Sequence, residues 1–337
     1  MASASDAPAP RLTRRPRVVV TRRMLPAVEA RMAELFDVRL NETDTPFSRQ
    51  QLAEALNEAD VLVPTVTDRI DAELIGEAGK DFGLIASFGA GTDHIDLEAA
   101  AGARIIVTNT PGVFTDDTAD LAMAGIIGVP RRVREGVELV RSGKWTGWTP
   151  TALLGRKLAG KTLGIVGMGR IGQAVAHRAR AFGLEIAYHS RKRIPESIER
   201  MLGARYVDDL DALLVTADIL TLHTPATEET RGMIDARRIA LMKPGACLIN
   251  TARGELIDQA ALIEALESGH LSGAGLDVYP EEPHVDERLI RHPNVMTLPH
   301  IGSATQEGRA ESGMKVIANI RFWADGHRPP DQVLSGL

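Results

Sequence analysis

The stretch Thr162-Leu-Gly-Ile-Val-Gly-Met-Gly-Arg-Ile-Gly172 decides how this chain folds. Leu163-Gly-Ile-Val166 is an apolar run of strand length, and Ile171, Val175, Ala179 and Phe182 then recur at helical spacing. Three glycines join strand to helix. Gly167 permits a tight turn, Gly169 lets backbone approach a pyrophosphate, and Gly172 lets helix and strand pack closely. Phosphate oxygens are expected to meet free amides at the positive helix terminus. The residues expected to line them are Gly167, Met168, Gly169, Arg170, Ile171 and Gly172.

Outward from this turn, short β-rich runs alternate with helical patterns on both sides. Those after it cover 162–166, 185–189, 219–223, 246–250, 275–278 and 296–298; those before it cover 17–21, 38–40, 60–63, 84–88 and 105–108. Strands alternating with helices imply right-handed crossovers and parallel sheets. Six strands after the turn match a dinucleotide-binding sheet, and five before it suggest a smaller, flavodoxin-like domain. The expected fold class is α/β, with two doubly wound parallel-sheet domains. A last helix over 303–325, with apolar Met314, Ile317, Ala318 and Phe322, follows the final strand and is expected to cross back onto the first domain. The cofactor domain, 116–303, is then an insertion in a discontinuous substrate domain, 17–115 plus 304–337. Residues 1–16 are read as a floppy tail that is no secretory signal.

Composition narrows the function classes. The 337 residues carry a net charge of -6, which argues against nucleic acid or an anionic membrane surface as a partner. The longest uncharged apolar run, 121–130, is too short to span a bilayer. One cysteine, Cys247, excludes an internal disulfide and fits a reducing cytoplasmic setting; its apolar surroundings predict a buried, inert thiol. A long helix over 116–142 is interrupted at Pro130, and its 121–129 stretch is apolar on every face. Burial between two subunits is the preferred explanation, and burial within one subunit is the alternative.

The second strand after the turn selects the cofactor. NAD sites place Asp or Glu about twenty residues on, for the ribose hydroxyls. Here the strand ends in Ser190-Arg-Lys-Arg193, with no carboxylate. A hydroxyl and guanidinium groups suit a 2′-phosphate, so NADP(H) is expected ahead of NAD(H). Ser190 and Arg191 are the main contacts and Arg193 is support.

Three separated residues carry the chemistry: Arg253 in N-T-A-R-G, Glu282 in P-E-E-P and His300 in P-H-I-G-S. Arg253 and His300 follow strands, at the carboxyl ends where such sheets bind ligands. A guanidinium fork suits the carboxylate and carbonyl of a 2-oxo acid, and a carboxylate-backed imidazole suits protonation of that carbonyl. In the first domain Phe88-Gly-Ala-Gly-Thr-Asp-His94 follows a strand, and its small residues can present amides to an anion. Asp93, His94 and Asp96 are too closely spaced on an irregular loop for a metal site, and His284 and His292 share no ligand spacing, so no metal is expected.

These motifs, N-T-A-R-G at Asn250, G-L-D-V-Y at Gly275 and P-H-I-G-S at Pro299, resemble those of the D-2-hydroxyacid dehydrogenases, from about Arg17 to Val333. The resemblance implies that Arg253 binds and orients substrate, His300 is the acid/base and Glu282 pairs with it. It also implies a homodimer, a substrate loop at Ala90 and Gly91, and cofactor contacts from Thr118, Thr251 and Asp277, the last meeting the nicotinamide carboxamide. His223, Ala252 and Gly302 complete the expected contacts. Ser142-Gly-Lys-Trp-Thr-Gly-Trp148 is similar to the glyoxylate/hydroxypyruvate reductases, in which a tryptophan from the neighbouring subunit limits the pocket. Trp148 is the better match and Trp145 the second. The expected reaction is reduction of a small, unphosphorylated 2-oxo acid by NADPH with His300 as proton donor. The alternatives are a nucleotide-sensing corepressor-like scaffold, or another D-2-hydroxyacid dehydrogenase working oxidatively with NAD.

Overall fold

Short runs of valine, isoleucine and leucine with no polar side become strands that are covered on both faces. In the computed structural model, which describes residues 12–334, β1 (Arg17–Val20), α1 (Pro26–Leu35), β2 (Asp37–Arg39) and α2 (Arg49–Glu58) come first. β3 (Val61–Val63), α3 (Ala72–Gly76), β4 (Leu84–Ala86), α4 (Leu97–Gly102) and β5 (Ile106–Thr108) follow. The five strands form a parallel sheet in the order β2-β1-β3-β4-β5.

α5 (Thr115–Gly128) and α6 (Val133–Arg141) precede the second sheet. Its elements are β6 (Thr162–Val166), α7 (Arg170–Ala181), β7 (Glu185–His189), α8 (Glu196–Leu202), β8 (Ala204–Tyr206), α9 (Leu210–Thr216) and β9 (Ile219–Leu222). α10 (Ala236–Leu241), β10 (Ala246–Asn250), α11 (Gln259–Glu267), β11 (Leu271–Leu276), α12 (Glu287–Arg291) and β12 (Val295–Thr297) complete it. All seven strands are parallel, in the order β12-β11-β10-β9-β6-β7-β8. α13 (Gln306–Ala324) follows and packs on α1 and β4 of the first unit. Two compact units result, one built from the described residues 12–114 and 304–334, the other from Thr115–Ser303.

The expected pair of parallel α/β sheets is present, with four corrections. The second sheet has a seventh strand, β8, a three-residue edge strand with exposed Arg205 at its centre and too little apolar sequence to announce it. The tail was expected to reach residue 16, but Leu12 donates to Ala324 O at 2.9 Å and Arg14 to the buried Asp60 carboxylate at 2.7 Å. The expectation for residues 1–11 lies outside the described chain. On α13 the buried face is Gly313, Val316, Ile317, Ile320 and Trp323, whereas Met314 and Phe322 are exposed. Finally, the apolar 121–129 stretch is largely covered within its own subunit: α5 lies against α7 and β9–β11, with Ala122, Met123, Ile126 and Val129 all buried.

Cys247 lies in β10, 2% exposed, with Sγ 3.2 Å from Ser272 Oγ. Burial pushes its thiol pKa up. Among the described residues no helix is long and apolar enough to cross a membrane.

Candidate active site

Three neighbouring strands of the second sheet, β10, β11 and β12, end side by side and deliver the three chemical residues. After β10, Asn250 Oδ1 accepts the Ala252 amide at 3.0 Å while its Nδ2 donates to Arg253 O at 2.7 Å. Such side-chain-to-backbone bonds fix a local turn. They set the backbone of Arg253, whose Nη1 donates to Ala252 O at 2.7 Å.

After β11 the chain passes Asp277 and Tyr279 to reach Glu282. After β12 it reaches His300, whose Nδ1 lies 2.8 Å from Glu282 Oε2. An ionised carboxylate only accepts, so Nδ1–H donates and Nε2 is the ring atom left for chemistry. Burial pushes the Glu282 carboxyl up, but its bond to His300, the charge of that ring, the Tyr279 amide at 3.0 Å and the Arg253 charge outweigh it and hold its pKa below the ordinary value. A lowered carboxyl contributes stability above its unfolded pKa and loses it only as pH falls through the folded one. The pair therefore persists through neutral and mildly acidic solution.

His300 sits at φ 54°, a left-handed conformation rare outside glycine. Asp277 holds it there: Oδ1 accepts Ile301 N at 2.8 Å and Oδ2 accepts Gly302 N at 2.7 Å. Thr118 Oγ1 donates to Gly302 O at 2.9 Å, tying α5 to the same loop. Asp277 is buried, and desolvation pushes its carboxyl up against those bonds.

The glycine turn is shaped for a dinucleotide. Gly167 has φ 93°, and a side chain there would meet His223 O at 2.4 Å. A Cβ on Gly172 would meet Gly167 O at 2.2 Å, whereas Gly169 faces open space. Ser48, Asp71, Asp96, Asp209, Asp235, Asp258, Asp286 and Thr305 cap other helices with a side-chain acceptor. α7 instead begins at Gly169 with none. Its first-turn amides suit a phosphate. Met168 packs its side chain into the core, and Arg170 is exposed. Buried Thr251 Oγ1 and His223 Nδ1 have no hydrogen-bond partner among the described residues, as expected of groups awaiting a polar ligand. His223 Nε2 lies 2.9 Å from Thr221 Oγ1, and burial lowers its pKa to about 3, so the ring is neutral.

Ser190, Arg191, Lys192 and Arg193 follow β7. Arg193 grips buried Glu199 through two bonds of 2.8 and 2.6 Å and lies over the Tyr206 ring, while Tyr188 also donates to Glu199 at 2.6 Å. The Glu199 carboxylate is therefore already paired with a cation. Arg191 is exposed, 3.8 Å from Glu229.

In the first unit, Gly89 O accepts Thr110 N at 2.9 Å and Ala90 O accepts Asn109 Nδ2 at 2.7 Å. The loop's carbonyls are tied back, while the amides of Ala90 and Gly91 make no hydrogen bond among the described residues. Asp96 caps α4, and His94 Nε2 lies 3.2 Å from Ser87 Oγ. Trp148 is 83% exposed and Trp145 58%. Sequence reasoning missed Tyr279, which bonds Glu282 and whose hydroxyl donates to Leu276 O and Leu298 O. It also missed the task of Asn250, although that residue opens the N-T-A-R-G motif.

Residues 123–302 match the family model described as D-isomer specific 2-hydroxyacid dehydrogenase, NAD binding domain. The chain belongs to that family. It is 47% identical to a glyoxylate reductase from Thermococcus litoralis over 324 residues, 95% of this chain and 97% of that one. A putative family member from Polaromonas sp. JS6 66 superposes with a TM-score of 0.89 at 42% identity, covering 95% of this chain and all of the other. An NADPH-dependent glyoxylate/hydroxypyruvate reductase from Sinorhizobium meliloti, solved with NADP and malonate, gives 0.85 at 32% identity over 95% and 97% of the two chains. The family model identifies the second sheet as a nicotinamide-binding Rossmann domain, in keeping with the open glycine turn.

Proposed function

We propose that this dehydrogenase reduces a small 2-oxo acid, glyoxylate or hydroxypyruvate, to the 2-hydroxy acid using NADPH. The observation that carries the reading is the 2.8 Å His300–Glu282 pair, which leaves Nε2 as a proton donor beside the Arg253 loop. Bound NADPH supplies a hydride to the carbonyl carbon. His300 Nε2–H gives its proton to the carbonyl oxygen, and Glu282 keeps the tautomer that makes this the donating atom. Arg253 holds the carboxylate and stabilises charge growing on that oxygen. In the first unit, the amides of Ala90 and Gly91 are read as a carboxylate-binding loop. Preference for NADPH rests on Ser190, Arg191 and Lys192, with Arg193 bracing the loop through Glu199. The test is an absorbance assay crossing NADPH and NADH with glyoxylate, hydroxypyruvate, pyruvate and phosphohydroxypyruvate. Turnover is expected to be best with NADPH and the first two acids. Equal Michaelis constants for the two cofactors would remove the NADPH assignment, and no turnover with any pair would remove the enzyme.

A homodimer belongs to the same proposal. Val133, Val137 and Val140 form an exposed stripe on α6, and Trp145, Trp148 and Leu154 extend it along an exposed segment. Apolar surface gathered this way marks an interface. We expect a dimer in sedimentation at micromolar concentration, with Trp148 limiting the neighbouring subunit's substrate pocket. Trp148→Ala should then relax the preference for glyoxylate over bulkier 2-oxo acids; unchanged discrimination would leave Trp148 as an anchor alone.

A further inference from the structure

Arg309, in the first turn of α13, has no part in the chemistry above. Its guanidinium carbon lies 5.7 Å from the centroid of the Phe88 ring and 5.8 Å from that of Phe114. Both rings are buried, each 7% exposed, and Arg309 is half-buried between solvent and the rings. Phe88 directly precedes Gly89-Ala90-Gly91. Those three residues carry no side chain larger than a methyl group, so the loop cannot anchor itself by packing. Its backbone is held at Phe88 N, which donates to Pro64 O at 2.8 Å, and at the carbonyls of Gly89 and Ala90. The Phe88 ring, packed into the first unit's buried core, is the one bulky handle within 88–91, and the Arg309 cation lies against it.

We propose that Arg309 is a positioning residue for substrate binding: by engaging the Phe88 and Phe114 rings together, it fixes the direction in which the Ala90 and Gly91 amides point. This inference rests on the reading that those amides receive the substrate carboxylate. A flat guanidinium engages two ring surfaces at once, which the compact ammonium of lysine does less well. An anion-binding loop that is already ordered avoids the entropy of being ordered by its ligand. Loosening this contact therefore weakens carboxylate binding and leaves hydride and proton transfer in the bound complex alone.

The experiment is steady-state kinetics with glyoxylate and NADPH, together with inhibition by oxalate, an unreactive carboxylate probe. It compares wild type, Arg309→Met, Arg309→Lys, Phe88→Leu and Ala90→Pro, with thermal unfolding of each. For Arg309→Met the glyoxylate KM and the oxalate inhibition constant should rise together by about 10-fold, between the exposed and the desolvated ends of the cation–π range. The kcat, the NADPH KM and the melting temperature should stay near wild type. Phe88→Leu should reproduce the effect with Arg309 still in place, and Arg309→Lys should recover part of it. The proposal is overturned if Arg309→Met lowers kcat and the melting temperature without moving KM, or changes nothing. It is also overturned if Phe88→Leu leaves KM untouched while Arg309→Met raises it, because Arg309 would then meet the substrate itself. Ala90→Pro removes one amide donor. If it spares the glyoxylate KM, the loop reading fails and the inference with it; if it raises KM while Arg309→Met does not, the inference fails alone.

Discussion

Replacing His300 with glutamine is expected to lower turnover at least ~100-fold, the lower end for loss of general acid catalysis. Glutamine preserves length and polarity and can still donate to Glu282, but its amide gives up no proton to a developing alkoxide. The His300–Glu282 contact of 2.8 Å makes this a clean substitution, because the carboxylate keeps a donor after the change. NADPH binding, followed by fluorescence quenching, and the melting temperature should hardly change. Turnover within a few-fold of wild type would move the proton donor elsewhere and with it the proposed mechanism.

Asp277→Ala should be nearly as damaging, for a different reason. The family resemblance implies that Asp277 meets the nicotinamide carboxamide. The structure gives its two oxygens to Ile301 N and Gly302 N, so it also fixes the left-handed backbone of His300. Removing the carboxylate leaves two amides without their acceptor, at about 1–3 kcal/mol each, and frees His300 to relax toward an ordinary conformation. A displacement of about 1 Å at a catalytic group costs about 100-fold. We therefore expect kcat to fall by about that factor, with a lower melting temperature. A rise in NADPH KM at constant kcat would restrict Asp277 to cofactor binding.

The fold was largely legible because parallel strands buried on both faces are written as continuous apolar runs. Ile219–Leu222 and Ala246–Asn250 could be read almost residue for residue. β8 could not, since an edge strand covered on one side needs little apolar sequence. The face of α13 was misassigned because Met314 and Phe322 are apolar but exposed, whereas Ser312, Gly313 and Asn319 are buried. Small and polar residues fill that helix's tightest contacts: a Cβ on Gly313 would fall 2.5 Å from Val28. The stretch 121–129 suggested a subunit interface, yet an apolar helix laid across its own sheet satisfies the same pattern.

The site divides in the same way. Arg253, Glu282 and His300 could be proposed from sequence because each stands in a compact motif, and adjacent strands carry their loops. What supports them was hidden. Tyr279 and Asp277 act through backbone atoms, which leave no residue-type signature.

Cys247 gives the molecule a reporter of its own. As the sole thiol, sealed in a central strand and resistant to ionisation, it reacts with an alkylating reagent only when that strand is uncovered. The labelling rate of unaltered protein then measures how often the nucleotide-binding sheet breathes, and the slowing caused by each cofactor ranks their grip without any engineered probe.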